Sequence, residues 1–461
     1  MNRKTISLLA IALTLVATII WLLSAPAECT PSIVTKVVKK SPTPINMLIT
    51  NEMSNLETTR SFDKSIEYFM RRWELTGGSF ALMRNDSLIY AKGYGYADKR
   101  KGEMCDVKHV FRIASASKLI TATAIMKLIE QDKLTLTDKV FGKEGILCDT
   151  SFLNIRDKRM ERITVEHLMR HTSGILPPIQ DPAFGTYTVA QSIGAKLPLT
   201  ADDLILYATR YRLRSMPGDR YRYSNLGYII LGKVIERVAG CSYESYVKTN
   251  ILEPAGCYNM FIGRNFSKHR APNEVHYYEV KEAEEVEAYD GSGRMTMKSD
   301  GGNDVNLLSS AGGWVASSVE LLRFVASING NKSKSDILTK ESVEAMTYDS
   351  KRYKPMGWAS VRGREWLRSG SMAGTTTLIK QQKDGYTWVF ATNSSAWIGY
   401  HLSDRISSHI SRAVDRVKEW PQRDLFAIEE RDITPAEREM AEILSPFVIN
   451  ERYNKAETLL E

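Results

Sequence analysis

The residues best suited to chemistry form three short groups spaced far apart along the chain. In Phe111-Arg112-Ile113-Ala114-Ser115-Ala116-Ser117-Lys118, Ser115 and Lys118 are three apart at the start of a helical pattern. That spacing sets both side chains on one face, within mutual reach. A serine hydroxyl is a weak nucleophile until a base stands beside it. A desolvated lysine can be that base, because burial lowers its pKa, and the helix N-terminus adds positive potential and free N–H groups. Tyr223-Ser224-Asn225 follows Pro217-Gly218-Asp219 in a loop just ahead of another helix. A tyrosine beside a cation can act as general acid or base, and an asparagine amide can hold a substrate carbonyl. Arg368-Ser369-Gly370-Ser371 lies on a strand pattern. There a cation can bind a substrate carboxylate, and a glycine lets a substrate backbone approach. Each group alone has a plain alternative: a capping serine beside a surface lysine, a turn with a helix cap, an ordinary edge strand.

The elements that must carry these groups follow from periodicity. Residues 78–83 and 88–93 read as strands joined at Asn85-Asp86, a hairpin signal. Residues 117–131 read as a helix with Ile125, Leu128 and Ile129 inward and Lys127 and Glu130 wet. Thr164 caps a further helix with Glu166 in its first turn. Asn225 opens another, with Ile229, Ile230, Val234, Ile235 and Val238 inward and Gly240 as its stop. Strands return at 365–371, 375–382 and 386–393, with a turn at Lys383-Asp384-Gly385, before a helix over about 399–417. Strands at both ends and helices between them predict an α+β fold. One antiparallel sheet is built from both ends of the chain and flanked by helices, with a helical insertion over about 117–300 and a cleft between the two parts.

Taken in order, the three groups resemble the serine β-lactamase and penicillin-binding-protein superfamily. They are most similar to its class C β-lactamase-like hydrolases, which include esterases, D-aminopeptidases and DD-peptidases. The resemblance spans about residues 60–415. It rests on Ser-x-x-Lys at 115–118, Tyr-Ser-Asn at 223–225 and a Lys/His-x-Gly-like triplet at 368–370. Supporting strings are Ile-Thr-Val-Glu-His-Leu-Met-Arg-His-Thr-Ser-Gly at 163–174, Pro217-Gly218-Asp219, Ala311-Gly312-Gly313-Trp314 and Met356-Gly357-Trp358. The resemblance implies that Ser115 attacks a carbonyl to form an acyl-enzyme, with Lys118 and Tyr223 sharing its proton. Asn225, Arg368, Ser369, Gly370 and Ser371 would line the substrate site, and the backbone N–H groups of Ser115 and Ser371 would form the oxyanion hole. Water then releases the acyl group. Position 368 departs from the pattern: the family usually has Lys or His there. Arginine keeps the charge and adds a bidentate fork, but cannot shuttle a proton near neutrality. Ser369 stands where Thr is common.

The expected function is therefore an exported serine hydrolase of amide or ester bonds, acting on a cell-wall peptide, an ester or a β-lactam. Its substrate would be a small molecule or peptide, and it would use no cofactor and no metal. The alternative is a penicillin- or peptide-binding sensor that acylates without turnover. His167 and His171 are four apart on a helix, but Leu168 stands where the zinc signature needs Glu. The six acidic residues within 279–290 read as a solvated face.

The whole-chain arithmetic agrees with this class. The 461 residues are 43% hydrophobic and 25% charged, with 62 Lys+Arg against 54 Asp+Glu, a net charge of +8. That excess is thin over such a length, and no basic run carries interleaved aromatics, so a nucleic-acid partner is not expected. Arg3 and Lys4 precede an uncharged stretch over 6–23 and then Ala25-Pro26-Ala27. Residues 1–27 thus read as a signal peptide or an N-terminal membrane anchor, which places the body in the periplasm or otherwise outside the cytoplasm. Residues 28–50 read as a Pro/Lys-rich linker, 51–420 as the catalytic domain and 421–461 as a charged helical appendage. Of the five cysteines, Cys29 sits beside the leader. Export permits disulfides among Cys105, Cys148, Cys241 and Cys257, and no CxxC pair suggests a zinc–thiolate site.

Overall fold

The computed structural model describes residues 42–175, 181–331, 336–351 and 353–428. Seven strands form one antiparallel sheet: β1 (Gly77–Arg84), β2 (Ser87–Asp98), β3 (Glu103–Met104), β4 (Ser360–Arg362), β5 (Glu365–Met372), β6 (Thr375–Gln381) and β7 (Tyr386–Thr392). Their spatial order is β3-β2-β1-β7-β6-β5-β4. β1 pairs with β7 from Gly78↔Thr392 to Arg84↔Tyr386, so the two ends of the chain meet in the middle of the sheet, as expected. At the β1–β2 hairpin Asn85 and Asp86 have φ of 50° and 61°, the left-handed pair that a two-residue turn requires.

Strand periodicity sorts side chains between two cores. Phe80, Leu82, Trp388 and Phe390 face one way, beneath α1 (Arg60–Arg72) and a C-terminal helix (Leu402–Asp415) that supplies Leu402, Ile406 and Ile410. Ala81, Met83 and Val389 face the other way, into a larger core shared with the helical middle of the chain. Its centre is α2 (Ser117–Glu130), packed against α3 (Asn225–Ala239). The sequence suggested an amphipathic α2. Instead, every residue from Ser117 to Met126 is buried, and the half-exposed positions are Lys127, Ile129 and Glu130 at its end. A helix enclosed on all sides loses its polar face, and small residues at Thr121, Ala122, Thr123 and Ala124 let neighbours close around it. α3 keeps its expected limits, capped by Ser224 and ended by Gly240 at φ 70°, with Val238 only half-buried.

Two expected boundaries shift. The linker was placed over 28–50 and the body from 51, yet Ile45, Met47, Leu48 and Ile49 are buried, and Asn46 Nδ2 donates to Lys108 O at 3.0 Å. At the other end, residues 421–428 belong to the body rather than to an appendage. Arg423 donates to Ile89 O at 3.0 Å and Met53 O at 2.6 Å, Asp424 accepts from Leu88 N at 2.9 Å, and Leu425 and Phe426 are buried. An apolar pair beside charged residues reads as a surface tail until its docking site is known. The leader over 1–27, Cys29, the linker over 28–41 and residues 429–461 lie outside the described residues. Among the described residues no helix is long and apolar enough to cross a membrane. Cys105 and Cys257 are buried thiols, Cys148 and Cys241 exposed ones, and all four are unpaired. The acidic stretch folds in part as a small hairpin, Val286–Glu287 with Met295–Thr296, and Glu279 accepts from Ser299 N at 2.7 Å.

Candidate active site

The site forms where the chain passes from a short strand into α2. Phe111–Arg112 pairs with Trp314–Ala316, and Ile113 N extends this pairing to Trp314 O at 2.9 Å. Ala114 then takes φ 47°, a conformation costly for a residue with a Cβ. It turns the chain into the single 3₁₀ turn Ala114–Ala116, on which Ser115 is half-buried beneath the first turn of α2. One turn further on, Lys118 is fully buried.

Tyr223 arrives from a loop anchored by His171. The His171 carbonyl accepts from Arg222 N at 2.7 Å, its Nδ1 accepts from Ser224 N at 3.2 Å, and its ring lies 4.6 Å from the Tyr223 ring. Burial and the nearby Lys118 and Arg368 cations hold His171 well below the ordinary histidine range, which suits a neutral acceptor ring. His167 serves elsewhere, accepting from Thr164 N at 3.1 Å in a capping box. The two histidines thus have separate structural tasks, and no group of three candidate metal ligands occurs among the described residues.

Four of the expected residues form one hydrogen-bonded set. Ser115 Oγ lies 2.7 Å from Tyr223 OH. Lys118 Nζ donates to Ser115 Oγ at 3.2 Å, Asn225 Oδ1 at 2.7 Å and Ala311 O at 2.5 Å. A lysine ammonium has three donors and no acceptor, so this geometry satisfies it fully. Burial lowers the Lys118 pKa, and Tyr223 opposes that shift. For Tyr223, burial alone would raise the phenol, but Lys118 and then Arg368 outweigh it and bring the pKa down to about 8. The Tyr223 side chain is 40% exposed overall, with its hydroxyl directed at Ser115. The arrangement is a nucleophile, a phenol able to take its proton near neutral pH, and a buried cation that stabilises the phenolate.

Three participants were not legible as residue types. Asp181 Oδ2 accepts from Asn225 Nδ2 at 2.9 Å and Asn225 N at 3.3 Å, turning the amide so that Oδ1 meets Lys118. Asn225 was expected to orient substrate; its first task here is to hold the lysine. Asp181 sits in an aperiodic loop before Pro182, and nothing in its surroundings marks it. Ala311 acts through its carbonyl, which its side chain cannot announce. His171 had been weighed against a metal pair with His167 and as part of the 163–174 string, not as an anchor for Tyr223.

The 368–371 strand departs most from expectation. Arg368 is 3% exposed, and its Nε donates to the Ser115 carbonyl at 2.8 Å, with Nη2 on the same oxygen. The fork that was expected to face a substrate carboxylate grips the backbone of the nucleophile. Gly370 is needed for a similar reason. A Cβ there would fall 2.1 Å from Ile113 O and 2.8 Å from Ser115 N, so the close approach is to the nucleophile turn and not to a substrate. Ser371 is exposed, with Oγ 3.4 Å from Thr376 Oγ1, and Ser369 is half-buried. β4 pairs with β5 only over Glu365–Leu367, leaving the outer edge from Arg368 to Met372 without a strand partner among the described residues. A separate cavity of about 370 Å³ beside α3 is lined by Leu199, Lys233, Glu236, Tyr289 and Asn306 among others, and includes none of these residues.

The β-lactamase family model matches residues 62–409. The chain belongs to the β-lactamase family. Protein flp of Staphylococcus aureus (strain N315) is 28% identical over 198 residues, 43% of this chain and 37% of that protein. The chain therefore spans well under half the length of such relatives. Among solved structures, the octameric penicillin-binding protein homologue of Pyrococcus abyssi superposes with a TM-score of 0.58 at 24% identity, covering 80% of each chain. The D-amino acid amidase of Ochrobactrum anthropi SV3 gives 0.60 at 18%, covering 79% of this chain and all of that one. These likenesses are of fold. Family membership and the site geometry together support a serine hydrolase in general.

Proposed function

We propose that this chain hydrolyses ester or amide bonds of a small molecule or peptide through an acyl-enzyme on Ser115. The observation that carries the reading is the 2.7 Å contact between Ser115 Oγ and a tyrosine whose pKa is brought down to about 8 beside a buried lysine. Tyr223, as phenolate, takes the Ser115 proton while Oγ attacks the carbonyl carbon. Lys118 stays charged, its three donors engaged, and stabilises the phenolate before transfer. The oxyanion falls to the backbone N–H groups of Ser115 and Ser371, each donor of this kind contributing about 3–4 kcal/mol. Tyr223 then returns the proton to the leaving oxygen or nitrogen. In the second half-reaction it takes a proton from water, which attacks the ester on Ser115, and gives that proton to Ser115 Oγ as the C–O bond breaks and the acid leaves. The unpartnered edge of β5 supports an extended substrate lying along Arg368–Met372. Nucleophile, base and cation all come from the chain, so the scheme calls on no metal and no cofactor.

The proposed location is outside the cytoplasm, on the strength of the N-terminal sequence, and a cell-wall peptide suits that location. Fusing residues 1–46 to a reporter active only after export tests it; a reporter that stays silent refutes export. For the chemistry, a fluorophosphonate probe should add mass to the tryptic peptide holding Ser115, and Ser115→Ala should abolish labelling while circular dichroism is unchanged. Labelling that survives Ser115→Ala would sink the assignment. A panel of p-nitrophenyl esters, D-amino acid amides and a chromogenic cephalosporin then sets the substrate class, and labelling without turnover on any of them would mark a sensor.

A further inference from the structure

We propose that Arg368 is a positioning residue that holds the nucleophile turn through the Ser115 carbonyl, and that the site therefore has no cation at this position selecting for a substrate carboxylate. The inference rests on the reading of Ser115 as nucleophile.

Three observations converge on the same turn. Ala114 sits at φ 47° directly before Ser115, a conformation that alanine does not favour and that surrounding contacts must impose. Both Nε and Nη2 of Arg368 end on the one carbonyl oxygen that follows this residue. Gly370, two residues along on the same face of β5, brings the strand so close that a Cβ would overlap Ile113 O and the backbone nitrogens of Ser115 and Ala116. β5 thus clamps the turn at two points, one ionic and one steric. The Ser115 N–H, a proposed oxyanion donor, belongs to the same residue as the gripped carbonyl, and the Gly370 backbone packs beside its nitrogen.

An arginine bound in this way is poorly placed to take a carboxylate. It is 3% exposed, and the Nε–Nη2 edge of its fork is already taken by the Ser115 carbonyl, so a substrate anion that claimed that edge would release the strained turn as it bound. Lysine at this position would reach the carbonyl with one donor at most, whereas arginine reaches it with two from a rigid fork. The departure from the usual Lys or His at position 368 thus has a structural meaning: the charge has been turned inward.

The same cation also acts on Tyr223. The groups that face Tyr223 are Ser115 from the nucleophile turn, Lys118 from the first turn of α2, the His171 ring, which Tyr221 and Tyr228 also approach, and Arg368 from β5. This gives the substitution two separable effects, since Arg368→Lys removes the fork and keeps the charge, while Arg368→Gln removes both.

The test compares p-nitrophenyl butyrate with p-nitrophenyl hemisuccinate, one neutral and one anionic acyl donor, on the full-length protein and both variants, with Ser115→Ala as control. Loss of two charge-assisted donors to a backbone carbonyl predicts a fall in kcat of about 10- to 100-fold in Arg368→Lys, with KM within about two-fold and the ratio of the two substrates unchanged. The pH at which kcat/KM rises should stay in place in Arg368→Lys and move upward in Arg368→Gln. A loss confined to the hemisuccinate in either variant would restore the carboxylate clamp and overturn the proposal. Unchanged kcat in Arg368→Lys would overturn it as well. If Arg368→Gln does not fold, Arg368→Lys decides alone. Activity that persists in Ser115→Ala would defeat the reading of Ser115 itself, a result distinct from either.

Discussion

The assignment of Tyr223 as the base has a consequence that can be measured directly. Its pKa is lowered from 10.0 to about 8 by Lys118 and Arg368 against the opposing effect of burial. Two units at 1.36 kcal/mol each is ~2.7 kcal/mol in favour of the phenolate, and the 40% exposure of the side chain leaves about 1–2 kcal/mol after screening. A base is active when deprotonated, so acylation should rise as pH increases through about 8 and fall below it. At pH 7 roughly 9% of Tyr223 is then phenolate, against roughly 0.1% at an unshifted pKa of 10. Lys118→Met removes the largest of the lowering influences and leaves burial in place, which moves the phenol upward from about 8. Acylation at pH 7 should drop about ten-fold for each unit by which the phenol moves up, and the rise with pH should shift upward with it. Tyr223→Phe should abolish the rise and lower acylation by about 100- to 10,000-fold. The assay is single-turnover acylation of the purified protein by a fluorophosphonate from pH 5.5 to 9.5 at constant ionic strength, with intact mass as readout. A rise centred near pH 8 that persists in Tyr223→Phe, or in Lys118→Met, would refute the reasoning.

Further outcomes follow from single contacts. Gly370→Ala places a Cβ 2.1 Å from Ile113 O; the strand must shift, so kcat should fall more than 10-fold, with a loss of about 1–3 kcal/mol in urea unfolding. Unchanged kinetics would show that the turn is not clamped there. Asp181→Asn preserves size but weakens the hold on Asn225 Nδ2, and kcat/KM should fall about 10-fold with little change in melting temperature. Ending the chain at residue 420 removes the buried Leu425 and Phe426 and the Arg423 bonds to Met53 and Ile89. The two apolar side chains alone stabilise by about 3–6 kcal/mol, so the truncated protein should melt several degrees lower, and a melting curve that overlays the parent would return 421–428 to appendage status.

What could be read in advance was whatever depends on local pattern. The β1–β2 turn, the cap at Thr164, the start of α3 at Asn225, the Gly240 stop and the three late strands all follow from periodicity and turn chemistry, and they lie where that reading put them. The pairing of Ser115 with Lys118 follows from helical spacing, whereas that of Lys118 with Asn225 was not foreseen, since the amide was assigned to the substrate. The rest depended on contacts between distant segments. Arg368 shows its charge in the sequence but not its partner, since the partner is a carbonyl 253 residues away. α2 reads as amphipathic because Lys127 and Glu130 signal a wet face, while the enclosure of its first ten residues is set by neighbours far along the chain. Asp181 and Ala311 act through one carboxylate in an irregular loop and one main-chain oxygen, neither of which leaves a periodic trace.

The pairing of β1 with β7 also bears on how the chain is made. Residue 78 finds its partner at residue 392, 314 positions later, so the centre of the sheet cannot close while the ribosome is still synthesising the helical middle. Until β7 emerges, β1 exposes an unpaired edge, and Phe80 and Leu82 have no Trp388 or Phe390 to cover them. Long-range pairings of this kind are slow to form and leave sticky edges exposed meanwhile. The final quarter of the chain therefore works as a timer on folding. Sheet closure is thereby deferred until nearly the whole chain is available.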